Sequence, residues 1–161
     1  MASGQLEQRQ RTSQQSQRAP RFLLVDDDPL VLEAMHRVLS DARPNWELVD
    51  AHSTRAALIE LYGKQFDVVV TDLELAGASG LELLETLDRH CPHISRVVHS
   101  ARLDAYLTHP ALNAATGMLS KPAQPRELVS MLNDALWASV VARRTQAHST
   151  DQTRAAAGAG G

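Results

Sequence analysis

The stretch DVVVTDLELAGASG, residues 67–80, decides the fold. Val68, Val69 and Val70 are apolar in succession, without alternation, as in a parallel strand covered on both faces. The run stops at Asp72, and Gly77, Ser79 and Gly80 then lead into the helix-compatible LELLETLDRH. Ser79 reads as the N-cap of the helix that Gly80 opens.

Working outward, the same unit recurs on both sides. Short β-rich runs stand at RFLLV (21–25), WELVD (46–50), SRVVHS (95–100) and TGMLS (116–120). The helix-compatible segments that follow strands are PLVLEAMHRVLSDA, TRAALIELYG, LELLETLDRH, ARLDAYLTH and PRELVSMLNDALWASVVARR. Val31, Leu32, Met35, Val38 and Leu39 share one broad face of the first; Leu128, Leu132, Ala135, Leu136 and Val140 do so in the last. Strands alternating with helices across short loops imply an α/β fold, a doubly wound five-stranded parallel sheet flanked by five helices.

The ends differ from this middle. Residues 1–20 are rich in Gln, Ser and Arg and are expected to be disordered; residues 143–161 read as a flexible C-terminal tail, leaving a domain at 21–142. Each end carries +2, which leaves −7 on the domain from a chain total of −3. An acidic domain is a poor partner for nucleic acid, whose phosphates need clustered Lys and Arg. No apolar run approaches the roughly 18 residues of a membrane span. The opening MASGQLEQRQ lacks an apolar signal core, and Cys91 is the single cysteine, so a cytoplasmic setting is expected.

In a doubly wound sheet, ligands bind beyond the carboxyl ends of the strands. Those ends hold Asp26, Asp27 and Asp28 after the first strand, Asp72 after the third, Ser100 on the fourth and Lys121 after the fifth. Asp28 before Pro29 is explained as a helix cap; Asp26 and Asp27 are not. Two carboxylates about 5 Å apart at an effective dielectric of about 20 repel by roughly 3 kcal/mol. A hard divalent cation would relieve that, and oxygen ligands with a half-open shell favour Mg²⁺. Lys121 offers positive charge to an incoming anion and Ser100 a hydroxyl donor. Such a set can hold a phosphoryl group while a carboxylate attacks it.

At this point the chain resembles the receiver domains of bacterial response regulators, including the single-domain chemotaxis type, over about residues 21–140. The resemblance rests on Asp26-Asp27 in VDDDP, Asp72 and Gly80 in TDLELAGASG, Ser100-Ala101, and Lys121-Pro122 in GMLSKPAQP. It implies a flavodoxin-like receiver fold, with Asp72 as phospho-acceptor and Lys121 and Ser100 assisting. Asp27 and Asp72 would ligate Mg²⁺ directly, Asp26 through water, and Glu74 through its backbone carbonyl. The implied donor is a phosphohistidine on a sensor histidine kinase or phosphotransfer protein. The protein would then be a signalling module rather than an enzyme, with only intrinsic phosphotransfer and autodephosphorylation chemistry. Two positions depart from the family: Met118 stands where a ring is usual, and Ala76 where a proline is common. Met118 bears on the ring-flip form of signalling, although a flexible thioether can fill the same space. The segments PNWELVDAHST and FDVVVTD also resemble receivers joined to metal-dependent phosphohydrolase-type effectors.

Other assignments compete. A dehalogenase-like aspartyl-phosphate phosphatase would use Glu74 as general acid, but gives Asp26 and Asp27 no role. An interaction module could keep the fold and signal without phosphorylation. His90, Cys91 and His93 match no common zinc spacing, and His99 reads as a packed strand residue. No GxGxxG or GxxxxGK[ST] is present. The last helix, reaching about Arg144, exceeds what a core face needs, which leaves a homodimer or a further effector domain open.

Overall fold

The computed structural model describes residues 18–77 and 79–158, with the backbone alone over 150–158. Its strands are β1 (Arg21–Val25), β2 (Glu47–Ala51), β3 (Val68–Thr71), β4 (Ser95–Ser100) and β5 (Gly117–Ser120). Its α-helices are α1 (Pro29–Ala42), α2 (Thr54–Gly63), α3 (Gly80–His90) and α4 (Pro125–Gly158). All strand pairs are parallel, in the order β2-β1-β3-β4-β5, so the sheet reverses direction of growth beside β1 and β3. Among the described residues, no helix is long and apolar enough to cross a membrane.

The three-valine run is buried because each face of the sheet needs its own core. Phe22, Leu24, Val68, Val70 and Val97 pack under α1 and α4 against Leu32, Met35, Leu128 and Leu132. Leu23, Val25 and Val69 point the other way, onto Ala57, Leu83 and Leu87 of α2 and α3. Period-two alternation thus distributes a continuous apolar strand between two layers.

One expected helix is absent. ARLDAYLTH is not an α-helix; two short 3₁₀ turns, Leu103–Tyr106 and Pro110–Ala114, take its place, so among the described residues four α-helices flank the sheet rather than five. Pro110 limits any helix here to about two turns, a length that is marginal on its own. A proline ring clashes with the carbonyl four residues back and removes an N–H, so a helix begun at Arg102 cannot continue through it. Pro110 instead opens the second turn, whose N–H at Ala111 is capped by the His109 ring.

Near the ends of the domain, Arg18 forms a two-pronged ion pair with Asp67, both contacts at 3.0 Å. Arg143 reaches the same carboxylate and also donates to the Phe66 carbonyl at 2.9 Å. The last helix passes its expected end near Arg144 and continues to Gly158. Residues 1–17 and 159–161 lie outside the described residues.

Candidate functional site

Strand register assembles the site. Val25 pairs with Thr71, so the next residues along, Asp26 and Asp72, emerge side by side at the carboxyl edge. Ser100 pairs with Ser120, which brings Lys121 to the same edge one residue later. Backbone bonds continue the pairing past the strand ends: Asp26 N–H donates to the Ala51 carbonyl at 3.1 Å, Asp72 N–H to Val25 at 3.0 Å, and Lys121 N–H to Ser100 at 3.0 Å.

The centre is an ion triad. Lys121 Nζ donates to Asp26 Oδ2 at 2.5 Å and to Asp72 Oδ2 at 2.6 Å. Both carboxylates are buried, and the lysine side chain is only 16% exposed. The other oxygens are also occupied: Asp26 Oδ1 accepts from Asp28 N–H at 2.9 Å, and Asp72 Oδ1 from Glu74 N–H at 3.1 Å. Burial pushes the Asp72 carboxyl up, but the Lys121 ammonium, the Glu74 N–H and the Ser100 hydroxyl together outweigh it and hold the group below 3.8. Burial pulls Lys121 down, and the bonds from Asp26 and Asp72 more than reverse this, holding it above 10.5. Asp72 is therefore an anion at neutral pH and Lys121 a cation.

Of the remaining sequence candidates, Ser100 is fully buried, and its hydroxyl accepts from Arg102 N–H at 3.4 Å. Asp27 is exposed at the mouth, where Oδ2 accepts from Ala76 N–H at 3.1 Å. The Glu74 carboxylate turns away to Arg102 at 3.0 Å and to the Tyr106 hydroxyl at 3.3 Å. That placement gives Glu74 no role as a general acid toward Asp72. Arg102 and Tyr106 were not legible as site neighbours, since their segment read as one helix. Met118 is 40% exposed on β5. Asp28 caps α1 through Leu30 N–H at 2.9 Å, as read from Pro29.

Gly80 is set by close approach. A Cβ there would lie 1.8 Å from the Asp72 carbonyl oxygen, so α3 packs directly on the backbone of Asp72. Ser79 caps that helix at Leu81 N–H, 3.1 Å away. Gly77 has φ +85, a left-handed turn conformation that favours glycine.

The donor set can be tested against Mg²⁺ by its chemistry. Three carboxylates and the Glu74 carbonyl are hard oxygen donors, the kind Mg²⁺ takes, and one ammonium leaves them with excess negative charge. In the arrangement seen, no group of three acidic, His or Cys side chains among the described residues could hold a metal. The donors fit Mg²⁺ in kind.

The chain is similar to known proteins in sequence and fold. Residues 22–133 match the model of the response regulator receiver domain. The chain is 33% identical over 119 residues to the glycerol metabolism activator of Pseudomonas putida, covering 72% of this chain and 52% of that protein. It is 34% identical over 109 residues to the transcriptional regulatory protein UhpA of Escherichia coli K12, covering 66% and 54%. The chain thus spans about half the length of these relatives. Among solved structures, the signal receiver domain of an HD domain-containing protein from Pseudomonas fluorescens Pf-5 superposes with a TM-score of 0.73 at 28% identity, covering 79% of this chain and 93% of that one. The response regulator TrrA of Thermotoga maritima, solved with Mg²⁺ and BeF, shares the fold with a TM-score of 0.67 at 24% identity, covering 72% and 98%. By sequence and sheet order, this chain belongs to the response regulator receiver domain family.

Proposed function

We propose that the protein accepts a phosphoryl group on Asp72 from a phosphohistidine of a histidine kinase or phosphotransfer protein, and so switches a signalling output. The observation that carries this is the Lys121 ammonium 2.6 Å from Asp72, on an acceptor kept ionised by its neighbours. In the transfer, a carboxylate oxygen of Asp72 attacks phosphorus as the phosphorus–nitrogen bond to the donor ring breaks. The ring nitrogen keeps the electron pair and takes up a proton. Lys121 faces the entering charge, and Ser100 Oγ, an acceptor toward Arg102 N–H, has its own O–H to offer the phosphate as a donor.

Asp27, Asp72 and the Glu74 carbonyl would hold Mg²⁺, with Asp26 behind them. When bound, the ion neutralises phosphoryl oxygens and so lowers the barrier to attack by an anion. The chain's own residues supply the positioning. Gly80 fixes the Asp72 backbone, and Arg102 with Tyr106 keeps the Glu74 carboxylate out of the way. Reaction with a small acyl phosphate and Mg²⁺, followed by intact mass, tests the proposal: one phosphoryl group should add to the wild type and none to Asp72→Asn.

The output is a separate matter. The likeness to the receiver of an HD domain-containing protein supports a connection to an effector of that kind, in line with the resemblance carried by PNWELVDAHST. Co-purification with an HD-domain protein tests this, and association with a DNA-binding effector instead would count against it.

A further inference from the structure

α4 carries its core residues Leu128, Leu132 and Ala135 on one stripe, packed on the sheet and α1. On the opposite side stand Asp134, Trp137, Val141 and Arg144, all exposed, with Trp137 66% and Val141 46% accessible. Their spacing of three, four and three residues sets them in one line along the helix, as in a seam between two helices. Among the described residues, neither the Asp134 carboxylate nor the Arg144 guanidinium has an ion-pair partner. The helix also outruns its support. Arg143 is bonded at the sheet edge to the Phe66 carbonyl, at 2.9 Å, and to Asp67. Residues 144–149 beyond it are all exposed, and the helix continues to Gly158. A helical stretch of about 15 residues is marginal in water when nothing packs on it.

We propose that this face of α4 binds the same face of a second copy of this chain, the two helices antiparallel across a two-fold axis near residue 139. The occupant follows from the order of the four residues: an acid, two apolar groups and a base. Reversed, the line is complementary to itself. Asp134 of one copy falls opposite Arg144 of the other and Trp137 opposite Val141, each pairing made twice. A parallel pair would instead set Asp134 against Asp134 and Arg144 against Arg144, like charges in both places. The antiparallel register also lays residues 144–158 of each copy beside the residues that precede Asp134 in the other, so the projecting helix gains a neighbour. Two large apolar side chains per copy are little beside the roughly 800 Å² per partner of a standard interface, so the dimer is weak and Trp137 is its anchor. None of the four residues belongs to the Asp72 site, and the pairing stands apart from the phosphorylation proposal.

Sedimentation equilibrium of the whole chain, from about 1 µM to about 500 µM, tests the pairing. A reversible monomer–dimer equilibrium is expected, with a Kd on the order of 10–100 µM. Trp137→Ala, an exposed change that leaves the core intact, should weaken it by about tenfold or more. Asp134→Arg and Arg144→Asp should each weaken it by about tenfold, because each sets like charges opposite one another twice. Mixed in equal amounts, these two variants should pair with each other about as tightly as the wild type, since one then carries two bases on the line and the other two acids. A chain that stays monomeric across the range, or a dimer indifferent to Trp137→Ala, overturns the proposal. So does failure of the mixed charge variants to associate, which would mean a parallel pair or another surface. Should Trp137→Ala fail to fold, the charge variants and their mixture decide the question alone.

Discussion

The Cα of Gly80 approaches the carbonyl oxygen of Asp72 so closely that a methyl group there would stand 1.8 Å from it. The obstructing atoms are backbone, so no rotamer change relieves the overlap. Gly80→Ala should cost about 2–4 kcal/mol and displace Asp72, with phosphoryl labelling reduced. Gly63→Ala is the control, because a Cβ at Gly63 meets nothing within 4 Å; it should be neutral or stabilise by up to about 1 kcal/mol. Urea melts of the two variants check the contrast.

Removal of Lys121 leaves two buried carboxylates without their shared counter-charge. Lys121→Met should destabilise the protein by about 3–5 kcal/mol at neutral pH. The pH dependence has a definite sign. Asp72 is held below 3.8, so its contribution is present above about pH 4 and is lost as pH falls through its folded value. Lys121 is held above 10.5, so its contribution is complete below that and is lost as pH rises through its folded value. The gap in stability between wild type and Lys121→Met should therefore be widest between about pH 4 and about pH 10 and narrow on the acid side. Denaturant melts across pH measure it; a gap independent of pH would contradict the triad.

Asp67 sits at the other edge of the sheet, where Arg18, Arg143 and the Arg21 N–H meet on one carboxylate. Asp67→Asn should lower stability by about 1–3 kcal/mol and increase amide exchange in residues 18–20 and around 143, with labelling of Asp72 unchanged. Hydrogen exchange and a labelling assay on the same sample separate the two effects.

Asp27 is exposed at the mouth of the site and accepts from Ala76 N–H through Oδ2. Asp27→Asn should weaken Mg²⁺ binding by about tenfold or more, while melting in the presence of chelator shifts by less than about 1 kcal/mol because the residue is exposed. Titration of Mg²⁺ followed by amide shifts checks this.

The sheet and its edge were legible because strand ends announce themselves. The run 68–70 could only be a two-faced buried strand, and Asp26, Asp72, Ser100 and Lys121 then fell on one edge by register. The pairing of Lys121 with both Asp26 and Asp72 could not be read, since it depends on side-chain reach across three strands. The expected helix at ARLDAYLTH is replaced by two 3₁₀ turns; Pro110 left that segment only about two turns of length, and its helix-compatible residues did not outweigh this. Asp67 looked like the start of a strand; its role as an anchor for Arg18 and Arg143 comes from long-range packing that no local pattern carries.

The central claim is that phosphorus is bonded to the carboxylate of Asp72. Borohydride reduction of the phosphorylated protein converts an aspartyl phosphate to homoserine, and peptide mass then locates the altered residue. The change is expected in the peptide spanning residues 67–80, at position 72 alone, and none is expected in Asp72→Asn. Homoserine at position 26 or 27, or labelling that survives in Asp72→Asn, would contradict it.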